Sequence, residues 1–143
     1  MKRVATLILV LSILISVSAF AFQQGELRDG SGNTIGYVSS SGEVKDKSGN
    51  TVGYFKSNGD IRDRSENTIG SVSSNGEVRN GSGNTIGYIK DNGEVRDAAE
   101  NRIGSVTSSG DVRNSAGNTI GYARGVNVQQ AAAFFFFFPE WRS

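Results

Sequence analysis

The feature that most constrains this chain is a repeat. Gly25, Gly42, Gly59, Gly76, Gly93 and Gly110 fall 17 residues apart, and each opens one copy of the same pattern. The pattern runs glycine, acidic, aliphatic, basic, Asp or Asn, two variable residues, Gly or Glu, Asn, Thr, aliphatic, Gly, Tyr or Ser, then a short polar tail. The second copy, G-E-V-K-D-K-S-G-N-T-V-G-Y-F-K-S-N, spans residues 42–58. Six copies without insertion or deletion define a repeat architecture, in which each unit buries its apolar face against its neighbours.

Each copy holds two short strands. In the first, E-V-R, side chains alternate across the strand, so the acidic and basic residues share one face and the aliphatic residue takes the other. Leu27, Val44, Ile61, Val78, Val95 and Val112 are therefore expected to point inward. The second strand is T-I-G-Y-V. There Ile35, Val52, Ile69, Ile86, Ile103 and Ile120 stand two residues before Tyr or Ser, and the alternation puts both in the core.

Two turn types join the strands. Asp-x-x-Gly-Asn, as in Asp46 to Asn50, suits a type I turn with Asp first and a glycine of positive φ fourth. Asn58-Gly59, Asn75-Gly76 and Asn92-Gly93 read as two-residue hairpin turns, with Ser41-Gly42 and Ser109-Gly110 as weaker versions. Inside every second strand lies a further glycine: Gly36, Gly53, Gly70, Gly87, Gly104 and Gly121. Glycine weakens a strand unless the strand bends or something approaches closely. Six at one phase point to crowding near a common axis, hence to a closed radial array rather than a flat sheet with open edges.

The copies are not all alike. The first, second, fourth and sixth carry Gly in the turn and Tyr37, Tyr54, Tyr88 or Tyr122 in the strand. The third and fifth carry Glu66 and Glu100 with Ser71 and Ser105. Glutamate is costly at positive φ, so these two turns are expected to have another geometry, and their units other neighbours.

The G-E-V-R-D, G-N-T-I-G-Y and N-G elements, with the phenylalanine-rich tail, resemble the small exported proteins called 5-fold β-flower proteins, mostly from Bacteroidota. The resemblance covers Gly25 to the C-terminus. It implies hairpin petals around an axis and brings no established activity or catalytic residue. Five petals result if each second strand pairs with the first strand of the next copy, leaving Glu26-Arg28 and Thr119-Ala123 to pair and close the ring. Six equal petals are the alternative.

The ends of the chain differ from the repeat. Lys2 and Arg3, the apolar stretch Val4 to Val17 and Ala19-Phe20-Ala21 form a signal peptide, with cleavage expected after Ala21. A retained membrane anchor is the alternative. The domain plan is signal peptide 1–21, repeat domain 22–126 and an Ala/Phe-rich tail 127–143. In the tail, Ala and Gln favour a helix that Pro139 would end. The run from Ala131 to Phe138 is too short to span a bilayer as a helix. Five consecutive phenylalanines cannot share one helix face, so Phe134, Phe135, Phe136, Phe137, Phe138 and Trp141 are either a plug that caps the array or an exposed interface.

Composition removes several classes of function. The chain has no cysteine and no histidine, so disulfides, thiol chemistry, His-based triads and His-ligated metals are out. Without Lys2 and Arg3, 13 basic residues face 14 acidic ones, and no basic field exists for nucleic acid. Carboxylate pairs such as Glu43 with Asp46 recur from copy to copy, in four of the six, which marks turn and surface residues rather than an acid/base pair. The Asp29 to Asn33 turn has alternating oxygen ligands but lacks the spacing of a calcium loop. No catalytic, cofactor-binding or metal-ligating residue is assigned, and no cofactor.

The expected molecule is thus an all-β repeat protein, periplasmic or secreted, with no transmembrane helix in its mature form. Its expected role is that of a non-catalytic structural or interaction module. Two alternatives stand beside it. Tyr37, Tyr54, Tyr88 and Tyr122 would form a carbohydrate platform if exposed, and the phenylalanine-rich tail would serve a membrane surface or self-association if exposed.

Overall fold

The computed structural model describes residues 25–142. The first strands of the six copies are β1 (Glu26–Asp29), β3 (Glu43–Asp46), β5 (Asp60–Asp63), β7 (Glu77–Asn80), β9 (Glu94–Asp97) and β11 (Asp111–Asn114). The second strands are β2 (Thr34–Val38), β4 (Thr51–Phe55), β6 (Thr68–Val72), β8 (Thr85–Ile89), β10 (Arg102–Val106) and β12 (Thr119–Tyr122). Every strand pairs antiparallel with both chain neighbours, and β1 pairs with β12, Arg28 opposite Tyr122, to close a twelve-stranded barrel. The leading and trailing strands do close the ring, as the re-phased pairing required. All six copies contribute their two strands to the closed ring. Among the described residues no strand edge is left open, which disposes of the hazard such short strands would otherwise carry.

The first-strand aliphatics point inward as expected: Leu27, Val44, Ile61, Val78, Val95 and Val112 are all 0% exposed. The second strands face the other way from the expectation. Their buried positions are the glycine and the residue two after it, as in Gly36 and Val38 or Gly53 and Phe55. The Ile35 series is only half-buried and the tyrosines lie on the outer face. A β-bulge causes this. Arg28 pairs with Thr34 and Leu27 with Gly36, so Ile35 is the extra residue, and the same shift recurs at Val52, Ile69, Ile86, Ile103 and Ile120. One added residue inverts the alternation beyond it.

The two turn types share one construction. In Asp29 to Asn33 the Gly32 N–H donates to the Asp29 carbonyl (3.0 Å) and the Asp29 N–H to the Asn33 carbonyl (2.8 Å). At the copy boundary the Gly42 N–H donates to the Ser39 carbonyl and the Ser39 N–H to the Glu43 carbonyl (both 2.9 Å). Each turn ends in one residue of positive φ, Gly32 at 87° and Gly42 at 92°. The boundary turns are therefore not two-residue turns, which would need positive φ at the asparagine as well. Among the described residues only Glu66 (70°) and Glu100 (69°) are non-glycine at positive φ. They keep the common turn geometry instead of adopting another, with their N–H groups bonded to the Asp63 and Asp97 carbonyls at 3.0 Å.

After β12 the chain turns into the barrel. Asn127 caps the helix α1 (Val128–Ala132) by accepting from the N–H groups of Gln129 (2.8 Å) and Gln130 (3.2 Å). A π-helical turn, residues 133–137, continues it, and Phe138 leaves helical geometry just before Pro139, as expected of that proline. A 3₁₀ turn, residues 139–142, follows. Among the described residues no helix is long and apolar enough to cross a membrane. The signal-peptide residues lie outside the described range.

Candidate functional site

The interior is occupied by the chain's own tail, one aromatic ring per repeat. Phe134 faces Gly36 of the first copy, Phe135 Gly121 of the sixth, Phe136 Gly104 of the fifth, Phe137 Gly87 of the fourth and Phe138 Gly70 of the third. Trp141 completes the circuit at Gly53 of the second. Successive phenylalanines thus step around the ring by one copy at a time. An α-helix turns about 100° per residue, whereas six copies stand about 60° apart, so a wider turn is needed. The i→i+5 bond from the Phe138 N–H to the Ala133 carbonyl (3.0 Å) supplies it.

The in-strand glycines make the space. A β-carbon at Gly53 would sit 2.6 Å from the Trp141 ring, and one at Gly70 2.7 Å from Phe138. The crowding read from the six glycines is therefore real, and it has two sources: the aromatic rings of the tail and a backbone carbonyl of the next strand, as with the Arg62 carbonyl oxygen 2.7 Å from a β-carbon at Gly53. Phe134 is fully buried, with Phe135, Phe138 and Trp141 nearly so and Phe136 and Phe137 half-buried. The rings also pack on one another: Phe138 stacks on Trp141 with centroids 5.4 Å apart, and Phe55 meets Trp141 edge-on at 5.2 Å. Of the two readings of the tail, this geometry is that of a plug, inserted along the axis rather than laid over one end.

The outer face carries the charge. In every copy the first strand pairs its acidic residue with the basic residue two positions on: Arg28 with Glu26, Lys45 with Glu43, Arg62 with Asp60, Arg79 with Glu77, Arg96 with Glu94 and Arg113 with Asp111. Glu43 also accepts from the Thr51 hydroxyl (2.8 Å), and Glu77 from Thr85. The Arg79 guanidinium, with the Thr85 hydroxyl, holds the Glu77 carboxyl below its usual range. Asp46 is turned elsewhere: its Oδ1 accepts from the N–H groups of Ser48 and Asn50 (both 2.9 Å). Glu43 and Asp46 are thus separate surface groups. Asp29 spends its Oδ1 on Ser31 and Asn33 in the same way.

Tyr37, Tyr54, Tyr88 and Tyr122, expected in the core, are half-exposed on this outer face. Lys56 lies 4.6 Å from the Tyr54 ring centre, Lys90 5.1 Å from Tyr88 and Arg124 5.5 Å from Tyr122. Sequence reasoning passed over these cations, although they recur every 34 residues. The alternation has a local cause. Odd copies open the boundary turn with a hydroxyl, Ser39, Ser73 or Thr107, which accepts from the N–H four residues on. In the second and fourth copies the third turn residue, Asn58 or Asn92, accepts from the N–H two on instead, and the first position is free to be lysine.

Those lysines also explain the glutamates. Lys56 reaches Glu66 of the third copy (3.0 Å) and Lys90 reaches Glu100 of the fifth (3.3 Å). The glutamates therefore follow the lysine of the preceding copy, while nothing in the structure explains the serines that accompany them. Among the described residues no cluster of three or more acidic side chains is arranged to hold a metal ion.

A ring of glycine-indented hairpins closed around an aromatic tail defines a small plugged repeat barrel. The family model for the 5-fold beta-flower protein matches residues 24–139, and the chain belongs to that family. No curated protein and no solved structure matches it.

Proposed function

We propose that this chain is an exported, non-catalytic interaction module, whose barrel is a rigid support and whose working surface is outside. The observation that carries this is the match of six aromatic rings to six glycine niches, which leaves the axis to the chain's own tail. The first-strand carboxylates and the turn aspartates are spread evenly around the outer face, each tied to a neighbouring cation or turn N–H. Export rests on Lys2-Arg3, the apolar stretch and Ala19-Phe20-Ala21. Mass spectrometry of the protein from a cell envelope fraction should find a chain beginning at Phe22; an intact Met1 there would contradict cleavage after Ala21 and favour a retained anchor, and recovery of the protein only from the cytoplasmic fraction would contradict export.

A carbohydrate-binding role is favoured within this class by the outward tyrosines. Retention of the mature protein on insoluble polysaccharides tests it. Retention that falls in a Tyr37→Ser, Tyr88→Ser variant would support binding on the strand faces, and no retention on any glycan would remove the carbohydrate reading.

A further inference from the structure

The end of the barrel where the tail enters is closed unevenly. α1 packs against β10 of the fifth copy, directly across the ring from the second. On the far side a cleft of about 330 Å³ remains between the boundary turns of the second and third copies, with Gln129 and Gln130 as its inner wall. Phe55 and Val72 give it an apolar base.

The charges in this cleft are already met. Lys56 is paired with Glu66 (3.0 Å), and Asp60 with Arg62 (3.3 Å). Four neutral groups are left over: among the described residues, the side chains of Ser57, Ser74, Gln129 and Gln130 make no hydrogen bond. The cleft therefore offers donors and acceptors without net charge beside a small apolar patch. A peptide cannot dock here by strand addition, because the ring is closed. The volume lies at the small end of the ligand-pocket range of roughly 300–1,000 Å³, enough for one or two sugar rings.

We propose that this cleft binds one or two units of a neutral, hydroxyl-rich ligand, a saccharide. The inference rests on the interaction-module reading and gives it a site distinct from the tyrosine faces. The test is an amide-shift titration of the labelled full-length mature protein with cellobiose, maltose and N,N′-diacetylchitobiose. The expected result is saturable shifts at residues 57–59, 73–74 and 127–130 with at least one of the three. Ser74→Trp, on an exposed turn, should weaken that binding by about tenfold or more with an unchanged unfolding midpoint, and Gln130→Ala should weaken it less.

Saturable shifts confined to the neighbours of Tyr54 and Tyr88, unaffected by Ser74→Trp, would overturn the cleft while leaving a carbohydrate-binding module in place. No shift with any of the three sugars would overturn the cleft as a saccharide site. Retention on polysaccharides and the state of the tail would still decide the broader reading.

Discussion

Phe137 occupies the space that a side chain at Gly87 would need: its ring crowds the place of a β-carbon, and the Arg96 carbonyl oxygen stands 2.5 Å from that place as well. Both obstacles are fixed, one by the tail and one by the sheet. Gly87→Ala should therefore cost about 3 kcal/mol, the upper part of the overpacking range. Gly49→Ala is the control. Residue 49 has a φ of 88° but open space around it, so only the backbone penalty of about 1–2 kcal/mol applies. Equal losses for the two variants in urea unfolding would show that crowding at the axis is not what requires glycine.

Removal of a ring should cost as much as removal of a core side chain. Phe134→Ala takes out a fully buried ring that contacts Phe135 and Trp141, with an expected loss of about 3–5 kcal/mol. Phe136→Ala, at a half-buried ring, should cost less. A reversed order in chemical denaturation would contradict the depth assigned to the plug.

Glu66 sets two effects against each other. Its left-handed backbone costs about 1–2 kcal/mol relative to glycine, while its pair with Lys56 is solvent-exposed and worth about 0–1 kcal/mol. The backbone wins, so Glu66→Gly should stabilise by about 1 kcal/mol, and by more in high salt, where the pair is screened. A clear loss of stability in low-salt thermal melts would mean that the Lys56 pair outweighs the strain.

The turn aspartates make stability depend on acid. The Asn33, Asn50 and Asn67 backbone N–H groups hold Asp29, Asp46 and Asp63 below the usual carboxylate range. A lowered folded pKa gives stability that is present above the unfolded value, about 3.9, and is lost as pH falls through the folded one. Asn80 and Asn114 fill the same position with the same bonds and no titration. Asp29→Asn, Asp46→Asn, Asp63→Asn together should flatten the fall in stability between pH 5 and pH 2, within the window set by these directions. An unchanged acid slope would assign it to other groups.

Much of the fold is legible in the sequence, because turn glycines and strand alternation repeat in phase. The first-strand aliphatics, the Asp29-type turns and the closing pair of β1 with β12 all follow from them. The bulge at Ile35 and its equivalents is not visible to a period-two reading, which turns the second strands inside out and places the tyrosines in the core. Asn58-Gly59 has the composition of a two-residue turn, but the hydrogen bonds Gly59 to Lys56 and Lys56 to Asp60 make it a longer one. Two signals lay in the sequence unread. Six aromatics in the tail equal six in-strand glycines, and Lys56 and Lys90 precede the copies that carry Glu66 and Glu100. Neither has meaning until closure brings the parts together.

The central claim is that the barrel is built around its tail. It is tested most directly on the purified mature protein and a form truncated before Ala131, by hydrophobic-dye binding with light scattering. The full chain should be monomeric and bind little dye, and the truncated form should bind dye strongly or unfold, since it loses all six rings from the axis. A truncated chain that stays a stable, dye-free monomer, beside a full-length chain that binds dye or assembles, would contradict the account and make the tail an external interface.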